Sequence, residues 1–146
     1  MNHVEILLVE DNMNDAELTI RALRKNNLAN NLVHVQDGAS ALDFIYCKGV
    51  FKDRNSKTKP KLILLDLKMP KIDGLEVLKI IKSDEETKHI PVVVMTSSIE
   101  EKDLLESYKL GANSYIQKPV EFQKFISSIV EVGFYWVILN QNTPND

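Results

Sequence analysis

Lys61 to Gly74 read KLILLDLKMPKIDG, and the order of residue types within that stretch decides the fold. Leu62, Ile63, Leu64 and Leu65 make an unbroken apolar run of strand length, the pattern of a strand buried on both faces of its sheet. The run ends in Asp66, a side chain that resists burial, and Pro70, Asp73 and Gly74 then punctuate a turn before the next periodic segment. A strand covered on both faces needs helices on both sides. The aspartate at its end needs a separate reason.

Working outward, apolar runs of similar length recur at VEILLV (4–9), LVHV (32–35), PVVVM (91–95) and SYI (114–116). Segments of helical spacing lie between them. In NDAELTIRALRKN the residues Ala16, Leu18, Ile20, Ala22 and Leu23 fall mainly on one side, and in GLEVLKIIKSD Leu75, Val77, Leu78, Ile80 and Ile81 do much the same. IEEKDLLESYKLGAN turns Leu104, Leu105, Tyr108 and Leu110 inward and stops at Gly111. Strands alternating with helices predict a parallel α/β sheet of five strands and five helices with right-handed crossovers. The first, third and fourth strands are the most apolar and belong at its centre.

With 146 residues, 44% hydrophobic and 27% charged, the chain suits one soluble domain spanning residues 1–146, with no output domain attached. A net charge of −3 supplies no positive field toward nucleic acid or anionic lipid. No apolar run approaches the roughly 18 residues of a membrane span, and the acid-flanked start does not read as a signal peptide. Cys47 is the single cysteine, which excludes an internal disulfide and a cysteine-rich metal site and fits a reducing cytoplasm.

Two segments depart from an ordinary domain of this kind. Tyr46–Pro60 is polar and basic, with an insertion at about 49–60 that reads as an exposed loop, either tolerated length or a partner-contacting surface. The last helix, at about 120–140, is one-sided from Phe122 to Ile129 but apolar nearly all round from Val132 to Leu139. Phe134, Tyr135 and Trp136 are therefore a candidate contact patch, for a homodimer or for a docking kinase.

In open α/β sheets chemistry collects beyond the carboxyl ends of the strands. That edge carries Glu10 and Asp11 after the first strand, Asp66 after the third, Thr96, Ser97 and Ser98 after the fourth, and Lys118 with Pro119 after the fifth. Singly, each has a plain reading: acids and hydroxyls cap helices, and rim lysines are solvated. Together they pose an electrostatic problem, since two carboxylates about 4 Å apart repel by roughly 4 kcal/mol at an effective dielectric of 20. Lys118 supplies one positive charge, and a hard divalent ion such as Mg²⁺, bound by few carboxylates and several waters, would supply two more. His3, His34 and His89 are scattered along the chain, which argues against zinc or iron. A carboxylate held beside a metal, a lysine and a hydroxyl is arranged to attack phosphorus.

These residues resemble the receiver domain of two-component response regulators, the family that includes the chemotaxis regulator. The resemblance runs in order through ILLVEDN, LILLDLKMPKIDG, VVVMTSS and GANSYIQKP. It implies a flavodoxin-like sheet of order 2-1-3-4-5 with Asp66 as phosphoacceptor. Asp11 would bind Mg²⁺ directly, Glu10 through water, and the main-chain carbonyl of Lys68 would be a further ligand. Thr96 would be the switch hydroxyl, Lys118 the phosphate-pairing lysine in a cis bond to Pro119, and Tyr115 the aromatic switch. Phosphorylation would then alter the surface of the fourth helix, fifth strand and fifth helix. Lys68 and Ser98 occupy positions that tune hydrolysis in this family. The long loop and the wording KIIKSDEETKHIPVVVMTSS resemble the stand-alone regulators that serve phytochrome-type sensor histidine kinases.

The expected protein is therefore a phosphoacceptor and not an enzyme in the ordinary sense. An aspartate-nucleophile phosphatase of the haloacid dehalogenase type would need a second aspartate where Lys68 stands. An FMN carrier would need glycines and hydroxyls where VEDNMND offers acids. A receiver-like module that is never phosphorylated would have no use for the complete rim.

Overall fold

Each apolar run becomes a strand of one parallel sheet in the computed structural model, which describes residues 6–25, 31–54, 59–67, 69, 72–96, 106–118 and 123–124, Thr96 without its side chain. The elements are β1 (Ile6–Val9), α1 (Met13–Arg24), β2 (Leu32–Val35), α2 (Gly38–Tyr46), a 3₁₀ turn (Gly49–Phe51), β3 (Leu62–Asp66), α3 (Gly74–Ser83), β4 (Val92–Thr96), α4 (described over 106–109) and β5 (Ser114–Gln117). The strand order is β2-β1-β3-β4-β5, as the resemblance implies. β1, β3 and β4 occupy the centre, and their apolar residues are almost wholly buried.

Alternation along the strands divides the core in two. Leu7, Val9, Ile63, Leu65, Val92 and Val94 face α2 and α3, where Phe44, Ile45, Val77, Leu78 and Ile81 meet them. Ile6, Leu8, Leu62, Leu64, Val93, Met95 and Ile116 face the other side with Ala16 and Leu23 of α1. Side chains two apart share a face, so Glu10 follows Leu8, Asp66 follows Leu64 and Lys118 follows Ile116 onto the α1 side. The same alternation that builds the core therefore aims two acids and a lysine at one place.

The second aspartate of the opening stretch has the plain role. Asp73 accepts from the backbone N–H of Glu76 and caps α3, as Asn12 caps α1 and Asp37 caps α2. Gly74 is needed for close approach, because a Cβ there would lie 2.3 Å from the carbonyl oxygen of Asp66. Its N–H donates to Leu67 O at 2.9 Å, which draws the start of α3 against the end of β3. At the end of α4, Gly111 takes φ +106°, a left-handed conformation that ends the helix as expected.

Two inward assignments are corrected. Leu18 is 48% exposed; the buried stripe of α1 is Ala16, Thr19 and Leu23, whose spacing follows the helical repeat while Leu18 falls almost opposite Ala16. Thr19 tolerates the core because its hydroxyl donates to Asp15 O at 3.0 Å. On α4, Tyr108 is 46% exposed and Ser107 is buried in its stead. Leu104 and Leu105 lie outside the described residues, as do the stretch from 125 onward and residues 55–58 of the insertion.

The described part of the insertion is tied down despite its polar composition. Phe51 packs edge-on against Phe44 with ring centroids 5.1 Å apart. Arg54 lies 3.7 Å over the Phe44 ring and donates to Phe44 O at 2.7 Å, and Lys59 donates to Ile45 O at 2.8 Å. Both cations satisfy carbonyls at the C-terminal end of α2, where the helix dipole also favours positive charge.

Candidate functional site

The parallel register sets Val9 beside Leu65 and Asp66 beside Met95, so one step beyond β1 brings Glu10 alongside Asp66. Glu10 N–H donates to Val35 O at 3.1 Å, fixing the loop to the end of β2. Asp11, the next residue, is exposed, while Glu10 and Asp66 are 0% and 3% exposed. One carboxylate oxygen from each of Glu10, Asp11 and Asp66 lies within 4.8 Å of the others.

Lys118 closes the cluster from β5. Its Nζ lies 2.6 Å from Glu10 Oε1, 3.2 Å from Asp15 Oδ2 and 3.3 Å from Asp66 Oδ2, with its side chain 9% exposed. The Glu10 contact is the shortest of the three, a close ion pair that gives buried Oε1 a charged partner. Glu10 Oε2 accepts from Asn12 N–H at 3.1 Å. Burial pushes the Glu10 carboxyl up to about 7; the Lys118 contact opposes this and the neighbouring Asp66 charge adds to it. For Lys118 burial alone would lower the ammonium, but Glu10, Asp66 and Asp15 outweigh it and hold its pKa above the ordinary value.

The cluster fits a divalent cation. Among the described residues, four carboxylates (Glu10, Asp11, Asp15 and Asp66) share the rim with the single ammonium of Lys118, which cannot offset them all. All the donors are hard oxygens on one concave edge, the set that Mg²⁺ or Mn²⁺ prefers. Glu10, Asp11 and Asp66 would hold such an ion.

Thr96, the expected switch residue, ends β4 opposite Gln117 on the same edge; its side chain lies outside the described part. Tyr115 is half-buried against the α2/α3 core, with its ring edge-on to Tyr108 at 6.4 Å between centroids. Lys68, Ser98, Pro119, Phe134, Tyr135 and Trp136 lie outside the described residues.

Sequence reasoning overlooked two participants. Asp15 stands in the first turn of α1, just beyond the acidic loop, and its Oδ2 lies 3.2 Å from Lys118 Nζ. His34 on β2 donates from Nε2 to the main-chain carbonyl of Glu10 at 2.8 Å; it braces the acidic loop without joining the cluster. Nothing in the local sequence marks His34, because the contact spans 24 positions.

Comparison with known proteins agrees with this geometry. Residues 6–130 match the response regulator receiver domain. The bacteriophytochrome response regulator AtBRR superposes with a TM-score of 0.85 at 48% identity, covering 93% of this chain and 96% of that one. The phosphorylated cyanobacterial phytochrome response regulator RcpA gives a TM-score of 0.76 at 39% identity over 97% of both chains. Response regulator Rcp1 of Synechocystis is 36% identical over 90% of this chain and 88% of its own length. Its Mn²⁺-bound form superposes with a TM-score of 0.75, covering 91% of this chain and 94% of that one.

Proposed function

The chain belongs to the response regulator receiver domain family, and from that premise we propose that Asp66 accepts a phosphoryl group from a sensor histidine kinase in a Mg²⁺-dependent step. The single observation that carries this reading is the convergence of Glu10, Asp11 and Asp66 within 4.8 Å, with Lys118 3.3 Å from Asp66. A carboxylate oxygen of Asp66 attacks phosphorus, the bond from phosphorus to the donor breaks, and the donor leaves with that electron pair. The product is an aspartyl phosphate, labile enough for a reversible signal. Lys118 meets the charge on the transferring oxygens, and the buried walls around Asp66 strengthen that attraction. A bound divalent ion supplies further positive charge to the same oxygens. Glu10, Asp11 and the carbonyl of Lys68 orient it, while the backbone contacts of Glu10 to Val35 and His34 keep the acidic loop in place.

The signal then passes through Thr96 and Tyr115 to the surface of α4, β5 and the C-terminal helix. Tyr115 already sits between core and surface, against exposed Tyr108, where a change of ring position alters what a partner meets. Moving such an equilibrium from 1:99 to 99:1 takes about 5.5 kcal/mol of differential stabilisation, within reach of a few charge-assisted bonds. Lys68 and Ser98 set the lifetime of the phosphoryl group. The chain is a phosphoacceptor and not a turnover enzyme, and it works in the cytoplasm. Among the described residues no helix is long and apolar enough to cross a membrane.

The kinase is of the phytochrome type, a reading supported by the likeness to AtBRR and RcpA. A homodimer through Phe134, Tyr135 and Trp136 completes the proposal. Intact-mass measurement after incubation with acetyl phosphate tests the chemistry: wild type gains one phosphoryl mass only with Mg²⁺, and Asp66→Asn gains none. An unchanged wild-type mass refutes it. In gel filtration the dimer predicts an apparent mass near twice that of the chain, reverting to one on Trp136→Ala.

A further inference from the structure

Asp15 stands outside the three acids whose oxygens converge, yet it holds the cation that the site depends on. Lys118 Nζ donates to Asp15 Oδ2 at 3.2 Å, almost the separation it keeps from Asp66 Oδ2, 3.3 Å. Asp15 is anchored: its backbone N–H is bound by Asn12 Oδ1 at 3.0 Å, and the neighbouring Ala16 is buried against the sheet. Its side chain is 32% exposed, whereas those of Glu10 and Asp66 are 1% and 5% exposed. Asp15 is therefore solvated as well as paired with Lys118.

Three acids share this ammonium, Glu10 at 2.6 Å, Asp15 at 3.2 Å and Asp66 at 3.3 Å, and of these Asp15 alone reaches it from α1. We propose that Asp15 is a positioning residue that restrains Lys118, holding its ammonium toward α1 in the unphosphorylated protein and withholding it from an incoming phosphoryl group. The inference rests on the reading of Asp66 as phosphoacceptor and adds a determinant of how fast that residue is loaded. Once a phosphoryl group adds its own oxygens at Asp66, Lys118 exchanges Asp15 for them, and the salt bridge to α1 opens.

Asp15→Asn removes the charge while keeping the side-chain shape, and the α1 cap remains with Asn12. The initial rate of Mg²⁺-dependent phosphoryl uptake from acetyl phosphate, followed by intact mass, should rise about three- to tenfold over wild type. A contact effect of this kind persists at roughly 1 M salt, where the Debye length is about 3 Å, whereas a general attraction of the anionic donor fades. Glu17→Gln, which removes one charge from the same helix away from Lys118, should leave the rate unchanged. Uptake no faster than wild type overturns the proposal, as does an increase that vanishes in high salt or that Glu17→Gln reproduces. A wild-type protein that takes no phosphoryl mass condemns the reading of Asp66 instead, so the two failures are separable.

Discussion

Two of the places where cations meet oxygens in this molecule have opposite results. At the end of α2, Arg54 and Lys59 donate to the carbonyls of Phe44 and Ile45, and Lys59 also lies 5.4 Å over the Tyr46 ring. Those acceptors are neutral, fixed by the helix, and satisfied by the donors they meet. At the rim, Lys118 faces three carboxylates that repel one another, and its one charge cannot offset them all. The first arrangement closes a structure; the second leaves an electrostatic demand that a metal and a phosphoryl group can meet.

The sharpest way to break this comparison is at Asp66. Asp66→Asn should abolish phosphoryl uptake and yet raise the melting temperature of the metal-free protein by about 2–4 °C, the shift expected for relief of about 1 kcal/mol of repulsion in a domain of this size. Calorimetry showing a lower melting temperature would mean that the rim is not strained by its charges. Arg54→Ala reverses the pattern: about 2 kcal/mol of stability is lost in urea denaturation, through the ring contact and the helix-end hydrogen bond, with uptake at Asp66 unaltered. A changed uptake rate would show that the insertion is coupled to the site.

The smallest effect belongs to pH. Glu10 is held up to about 7, above the ordinary carboxyl value of 4.5, so the metal-free fold binds its proton more tightly than the unfolded chain does. Its contribution to stability is therefore greatest at low pH and is lost as pH rises from about 4.5 through about 7. Metal competes with that proton. Calorimetric titration should find Mg²⁺ binding about tenfold weaker at pH 6 than at pH 8, and a flat profile would remove Glu10 from the ligand set.

Much of this was legible in the chain because short-range patterns carried it. The apolar runs named the strands, and KLILLD announced both a double-faced strand and an acid at its carboxyl end. Glu10, Asp66 and Lys118 could be placed on one rim from strand ends alone. Leu18 misled because a list of apolar residues is not a helical stripe, and Thr19, polar by type, took the buried place once its hydroxyl found Asp15 O. The insertion read only as an exposed loop, and nothing along the chain signalled that Arg54 and Lys59 would bond helix-end carbonyls 10 and 14 positions away.

The sequence by itself determined the parallel α/β class and the strand ends that carry the acids and the lysine of the rim, because each follows from periodicity or from neighbours along the chain. Only the tertiary structure decided that Asp15 shares Lys118 across 103 positions, that His34 braces Glu10 and that the polar loop is docked. The physical reason is reach. Local pattern fixes which face a side chain takes, but which groups then lie within bonding distance depends on how the sheet register and the helices bring distant segments together.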